Sequence, residues 1–191
     1  MPEQQGAPLE RQFGDVRVPM LVAMAGLPGS GKSTIAEILA GRIGATVISV
    51  DPIEAAVLRA GIDSDQPTGL AAYLVAETMA EQVLLSGHSV VVDAVNAVEP
   101  ARLQWRDLAE KCDVKLRVVE TVCSDPALHE ERLAKRSGLV ATWSTDAVAV
   151  EQSTDEYDEW RGACGALPRI TLDTAAPLGT NVETALDFVV G

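Results

Sequence analysis

From residue 20 to the end of the chain, short apolar runs alternate with stretches whose apolar residues recur at helical spacing. Met20–Ala25, Thr46–Val50, Ser89–Val92, Val114–Val122 and Arg169–Leu172 read as strands. Each is a brief aliphatic run bounded by polar or turn residues. Between them, Lys32–Arg42, Pro52–Ala60, Gly69–Ser86, Glu99–Lys111 and Asn181–Val190 read as helices. Pro100 falls in the first turn of one helix, and Asp125 with Pro126 opens another that runs to about Arg136. Strand followed by helix, repeated, predicts an α/β fold with a five-stranded, mostly parallel sheet covered on both faces. Residues 1–18, with Pro2, Gly6, Pro8 and charges of both signs, read as a flexible tail. Residues 19–191 then form a single domain.

The junction between the first strand and the first helix carries the sharpest chemistry. Gly26-Leu27-Pro28-Gly29-Ser30-Gly31-Lys32-Ser33-Thr34 matches G-x-x-x-x-G-K-[ST], the P-loop or Walker A pattern. Its glycines let successive backbone N–H groups converge on phosphate oxygens, and the helix N-terminus adds a positive dipole end. Lys32 can reach the β and γ phosphates of ATP, and the Ser33 hydroxyl suits Mg²⁺. A glycine-rich turn with an accidental lysine is the plain alternative, and the strand–loop–helix context speaks against it.

Composition narrows the class. The 191 residues include 28 acidic against 15 basic side chains, a net charge of −13, with 47% hydrophobic and only 4% aromatic residues. That is globular composition with an aliphatic core, and its acidity disfavours a broad nucleic-acid or anionic-membrane surface. Cys112, Cys123 and Cys164 are too dispersed for a disulfide framework or a zinc site, which suits a reducing cytosol. No apolar run reaches the roughly 18 residues of a membrane span. The expectation is a cytoplasmic protein. Cys123, after an apolar run, reads as a small buried residue rather than a nucleophile.

Within the P-loop class, Asn96 and Asn181 are the only asparagines and neither begins an N-K-x-D guanine reader. Val90-Val91-Val92-Asp93 is followed by Ala94, so the second, water-activating carboxylate of a motor ATPase is missing. Phosphoryl transfer to a bound acceptor remains. Such a kinase needs a carboxylate at the acceptor hydroxyl, support for Mg²⁺, and cations for the transferring group. Asp51 and Asp93 end the second and third strands, hence lie at the carboxyl edge of the sheet where ligands bind. Arg132 and Arg136 share a helical face ahead of Ser137-Gly138, a plausible hinge.

These features together resemble the small-molecule P-loop kinases, an AAA-type, zeta-toxin-like group. It includes chloramphenicol phosphotransferase, gluconate kinase and the kinase half of phage polynucleotide kinase. The resemblance runs from about Met20 to Val190, on Gly26–Thr34, Val50-Asp51, Val90–Asn96 and Glu131-Arg132 to Arg136. It implies that Asp51 accepts the proton of the substrate hydroxyl. It also implies that Arg132 and Arg136 clamp ATP from a lid at about residues 130–145. Ser49–Ala55 is similar to the matching stretch of chloramphenicol phosphotransferase. Polynucleotide kinases carry an arginine three residues after the base aspartate, and this chain has Glu54 there, which weakens a nucleic-acid 5′-hydroxyl reading.

Each candidate has a plainer competitor. Asp51 also fits as the cap of a helix opening at Pro52. Asp93 serves Mg²⁺ or substrate, or else bonds nearby backbone, while Asn96 is a substrate contact or a turn residue. Arg132 and Arg136 compete with an ordinary exposed pairing to Glu130 or Glu131. Arg102 and Arg106, on one face of a helix, read as solvated charges, and His88 and His129 as surface residues. Trp143, Tyr157 and Trp160 read as packing groups. Residues 51–100 hold eight acidic side chains and one basic, which suits a neutral or cationic acceptor. The expected activity is ATP- and Mg²⁺-dependent phosphorylation of a small hydroxyl compound. A nucleotide-binding regulatory module without turnover is the rival reading.

Overall fold

The computed structural model describes residues 18–140 and 157–191, the side chains of 136–140 excepted. Five strands, β1 (Met20–Ala25), β2 (Thr46–Ser49), β3 (Val90–Asp93), β4 (Lys115–Val122) and β5 (Arg169–Asp173), form one sheet in the order β2-β3-β1-β4-β5. All four pairings are parallel. The helices are α1 (Lys32–Ile43), α2 (Val50–Arg59), α3 (Thr68–Leu85), α4 (Glu99–Lys111), α5 (Pro126–Val140), α6 (Gly162–Gly165) and α7 (Leu178–Val190).

The two-residue period of β1 divides the core. Leu21, Ala23 and Ala25 face a cluster with α3 and α4, whereas Val22 and Met24 face α1 and α7. Both faces are covered, so the central strands are apolar throughout. On α3 the inward stripe is Ala72, Ala76, Ala80 and Leu84, spaced by four, and small side chains bring the helix close to the sheet.

Several boundaries differ from expectation for local reasons. Val50 begins α2 instead of ending β2, since Ser49 is still extended (φ −101°, ψ 129°) and Pro52 is tolerated in a first helical turn. Asp51 therefore lies in that first turn and not on the strand. Helix α5 continues through Ser137-Gly138 to Val140, so no break occurs at the expected hinge. Helix α7 starts at Leu178, and α6, a single turn, was not foreseen. Most of the expected tail, part of the expected lid and Trp143 lie outside the described residues, as does the side chain of Arg136.

Candidate active site

The loop between β1 and α1 wraps onto the carboxyl end of the sheet. Gly26, at φ 130°, passes so close to β4 that an added Cβ would stand 2.2 Å from the Thr121 carbonyl oxygen. Only glycine fits there. Its N–H donates to the Val95 carbonyl at 3.0 Å, tying the start of the loop to the segment after β3. Gly31, at φ 89°, caps the N-terminus of α1, leaving that end open to an anion. The Ser30 and Thr121 hydroxyls meet at 2.7 Å beneath the loop. Lys32 is buried, and its ammonium donates to the Leu27 carbonyl at 2.9 Å, so it points into the loop's own curl. Ser33 and Thr34 are exposed at the first turn of α1.

Beside the loop lies a cavity of about 360 Å³ lined by Gly29, Lys32, Ser33, Arg132, Thr174 and Asn181, among others. Arg132, expected in the lid, is fixed by Thr174. Its Nη1 donates to Thr174 Oγ1 at 2.7 Å and its Nη2 to the Thr174 carbonyl at 3.1 Å. Thr174 in turn receives the same arginine that faces the cavity and donates to the Ser30 carbonyl at 2.9 Å. The segment after β5 was missed by the motif reading. It carries no signature, and its position past the carboxyl end of a parallel strand is the signal that could have found it. There Asp173 accepts from Ser124 Oγ, from the Ala175 N–H at 3.0 Å and from the Ser124 N–H at 3.0 Å. Those bonds, the Ser124 hydroxyl first, hold its carboxyl below the usual range.

Two expectations here need correction. His129 is not a free surface residue: its Nε2–H donates to the Pro28 carbonyl at 2.7 Å, and the ring packs under Gly29. Cys123 is only partly buried; it receives Arg132 Nη1 at 3.7 Å and donates to the Asp125 carbonyl. His88, by contrast, is exposed as expected.

The other half of the site lies at the ends of β2 and β3. Ser49 and Asp93 are paired in register, and Ser49 Oγ donates to the buried Asp93 carboxylate at 3.4 Å. Asp51 is exposed at the start of α2. Glu54, partly buried, accepts from Thr68 Oγ1 at 2.9 Å and so ties α2 to the first turn of α3. Tyr73 on α3 reports on the field in this corner. Burial, foremost, and then the carboxylates of Asp51, Glu54 and Asp93 push its hydroxyl up to about 12, against the opposing pull of the Asn96 N–H.

Asn96 and Arg102 are placed otherwise than expected. Asn96 is 1% exposed and its amide is turned inward, bonded to Met24 and Trp105, so its side chain does not face a substrate. Arg102 is 2% exposed rather than solvated. Its guanidinium lies 4.0 Å from the Trp160 ring centroid and 4.9 Å from that of Tyr157. Arg106, one turn on, does stay at the surface with Asp107 and Glu110. The spacing of the pair could not separate them, because α4 packs its N-terminal half against the segment around residue 160. Tyr157 and Trp160 are packing groups with a polar role: both donate to Glu120, at 2.8 and 2.6 Å. Burial favours the neutral form of Glu120, but Thr171, Tyr157, Trp160 and Arg169 outweigh it and hold the carboxyl below its ordinary range.

Residues 21–159 match the model of a family described as an AAA domain, and the chain belongs to that family. Uncharacterised proteins of Mycobacterium tuberculosis and Mycobacterium bovis are 33% identical over 130 residues, 62% of this chain. That match spans about a quarter of the length of those relatives (26%). Among solved structures, an APS kinase, CysC, of Mycobacterium tuberculosis in complex with AMPPNP and APS is similar at TM-score 0.66 and 19% identity. That match covers 91% of this chain and 98% of the other. Kti12 of Chaetomium thermophilum in complex with ADP-AlF3 is similar at TM-score 0.68 and 18% identity, over 89% and 97%. A gluconokinase of Sinorhizobium meliloti reaches TM-score 0.59 at 20% identity, over 91% and 93%. The chain thus has the P-loop NTPase fold. No described helix is long and apolar enough to cross a membrane.

Proposed function

We propose that the protein is a phosphotransferase that moves the γ-phosphoryl group of ATP to a hydroxyl of a small molecule. The observation that supports this reading is that the phosphate loop, Asp51 and Asp93 all follow or end strands at the carboxyl edge of one parallel sheet. In it, the loop N–H groups and Lys32 hold the β and γ phosphates. Arg132, already braced by Thr174, faces the same cavity and balances charge on the transferring group. Arg136 is assigned the same role on the family resemblance alone.

Asp51 takes the proton of the acceptor hydroxyl as its oxygen bonds to the γ-phosphorus, and ADP departs. The residues present fit a magnesium ion: the exposed Ser33 hydroxyl and the Asp93 carboxylate are hard oxygen donors, and this ion usually takes few protein ligands beside phosphate oxygens. When bound it supplies charge neutralisation between the β and γ phosphates. Asp93 alternatively contacts the acceptor, and Ser49 holds it in place for either task.

The acceptor is neutral or cationic. Asp51, Glu54 and Asp93 all bear on Tyr73, and Glu54 occupies the position where an arginine would serve a substrate phosphate. Nucleic-acid ends and membranes are poor partners for such a corner. The test is a panel of hydroxyl metabolites and antibiotics, read by ADP release with Mg²⁺ and by mass spectrometry of the product. A phosphorylated acceptor supports the kinase. Saturable ATP binding with no product across the panel favours a nucleotide-binding module.

A further inference from the structure

The phosphate loop leads into α1 on one face of the sheet, whereas α3, which carries Tyr73, packs on the other. Asn96 bonds both to β1, from which the loop emerges, and to α3. Its Nδ2 donates at 2.6 Å to the carbonyl of Met24, near the end of β1 from which the loop emerges. Its backbone N–H donates to Tyr73 Oη on α3 at 3.0 Å. Trp105 Nε1 donates to its Oδ1, and Arg102 Nε to its carbonyl, each at 2.8 Å. The preceding residue, Val95, accepts the N–H of Gly26. All four polar groups of Asn96 are thus spent on β1, α3 and α4, in a residue that is 1% exposed. The backbone there is left-handed, φ 49°, a conformation that asparagine adopts more readily than other side-chain-bearing residues.

We infer that Asn96 is a positioning residue, holding the phosphate loop in register with the acceptor helix α3, with Arg102 locking it in place. Arg102 does so through main-chain acceptors. It donates to the Asn96 and Ala97 carbonyls on one side, and to those of Asp158 and Glu159 on the other. A shift of residues 95–97 would carry Gly26 with it, because the bond between them is direct. The inference rests on the reading of the loop as the nucleotide site, and predicts a defect in binding that loss of stability does not explain.

The experiment compares Asn96→Ala with Leu84→Ala, a buried cavity variant at the far end of α3. ATP affinity is measured by calorimetric titration of the full chain, below both melting temperatures. Asn96→Ala should bind ATP about ten-fold more weakly, within the range by which a change in a connecting network alters a site it does not touch. Leu84→Ala should keep wild-type affinity even where it melts as early. If Asn96→Ala does not fold, Asn96→Gly carries the same expectation, since it relieves the left-handed backbone but lacks the amide. Wild-type ATP affinity in a folded Asn96 variant overturns the inference while leaving the kinase reading intact. Absence of ATP binding in the wild-type chain overturns both.

Discussion

The nucleotide side and the acceptor side of the proposed site are built by different means. On the proposed nucleotide side the groups are largely backbone N–H groups of the run Gly26–Thr34, which also carries the Lys32 side chain, with Arg132 added from α5. On the proposed acceptor side they are side chains, Asp51, Glu54, Tyr73 and Asp93, drawn from α2, α3 and β3. A backbone cradle demands particular torsions and therefore a particular local sequence, whereas a side-chain pocket can be assembled from any elements that meet. The first is accordingly a motif and the second is not.

Substitutions can break that contrast. The largest expected effect is from Asp51→Asn, which should abolish acceptor phosphorylation, by about 10²–10⁴-fold for a lost general base, while ATP titration changes little. Loss of both together would move Asp51 to the nucleotide side. Lys32→Ala should lower transfer by about 10²-fold or more and weaken ATP binding in the same variant, as measured by single-turnover kinetics and titration. Selective loss of transfer would instead place Lys32 with the acceptor.

A second contrast lies within α4. Arg102→Ala removes a donor from four carbonyls, of which, among the described residues, only that of Ala97 keeps another, the Asp158 N–H, and removes the cation facing two rings; it should cost at least about 2 kcal/mol in a denaturant melt. Arg106→Ala, which loses only exposed contacts, should leave the same melt unchanged. Equal effects would mean that the Trp160 packing contributes nothing.

The smallest effect concerns Glu120. Its carboxyl is held below its unfolded value, so its charged form stabilises the fold above the ordinary glutamate range and that contribution is lost as pH falls through the lowered value. Melting temperature should therefore drop more steeply on acidification in the wild type than in Glu120→Gln, which starts lower at neutral pH. Parallel pH profiles would deny the carboxylate this role.

The α/β class, the strands and the phosphate loop were legible because each rests on local pattern: short apolar runs, helical spacing, and glycines where the backbone must turn tightly. Even there, Val50 was assigned to the strand, since an apolar residue before Asp-Pro fits either a strand end or a helix start. The proposed acceptor corner was half legible. That Asp51 and Asp93 follow or end strands at the carboxyl edge could be read from the sequence, but that Tyr73 on α3 bonds the segment after β3 could not, since nothing in α3 marks that tyrosine. Thr174 was illegible for the same reason, and His129 was misread because its partner, the Pro28 carbonyl, lies 101 residues away.

What the sequence by itself determined is the order of elements and the chemistry of one contiguous loop, because hydrophobic period and backbone torsion are short-range properties. Only the tertiary structure decided which of two equivalent arginines is buried, that Asn96 faces inward, and that Arg132 leans on Thr174. Those outcomes depend on which segments pack together. Desolvation and hydrogen bonding act on the assembled neighbourhood, and no local spacing encodes it.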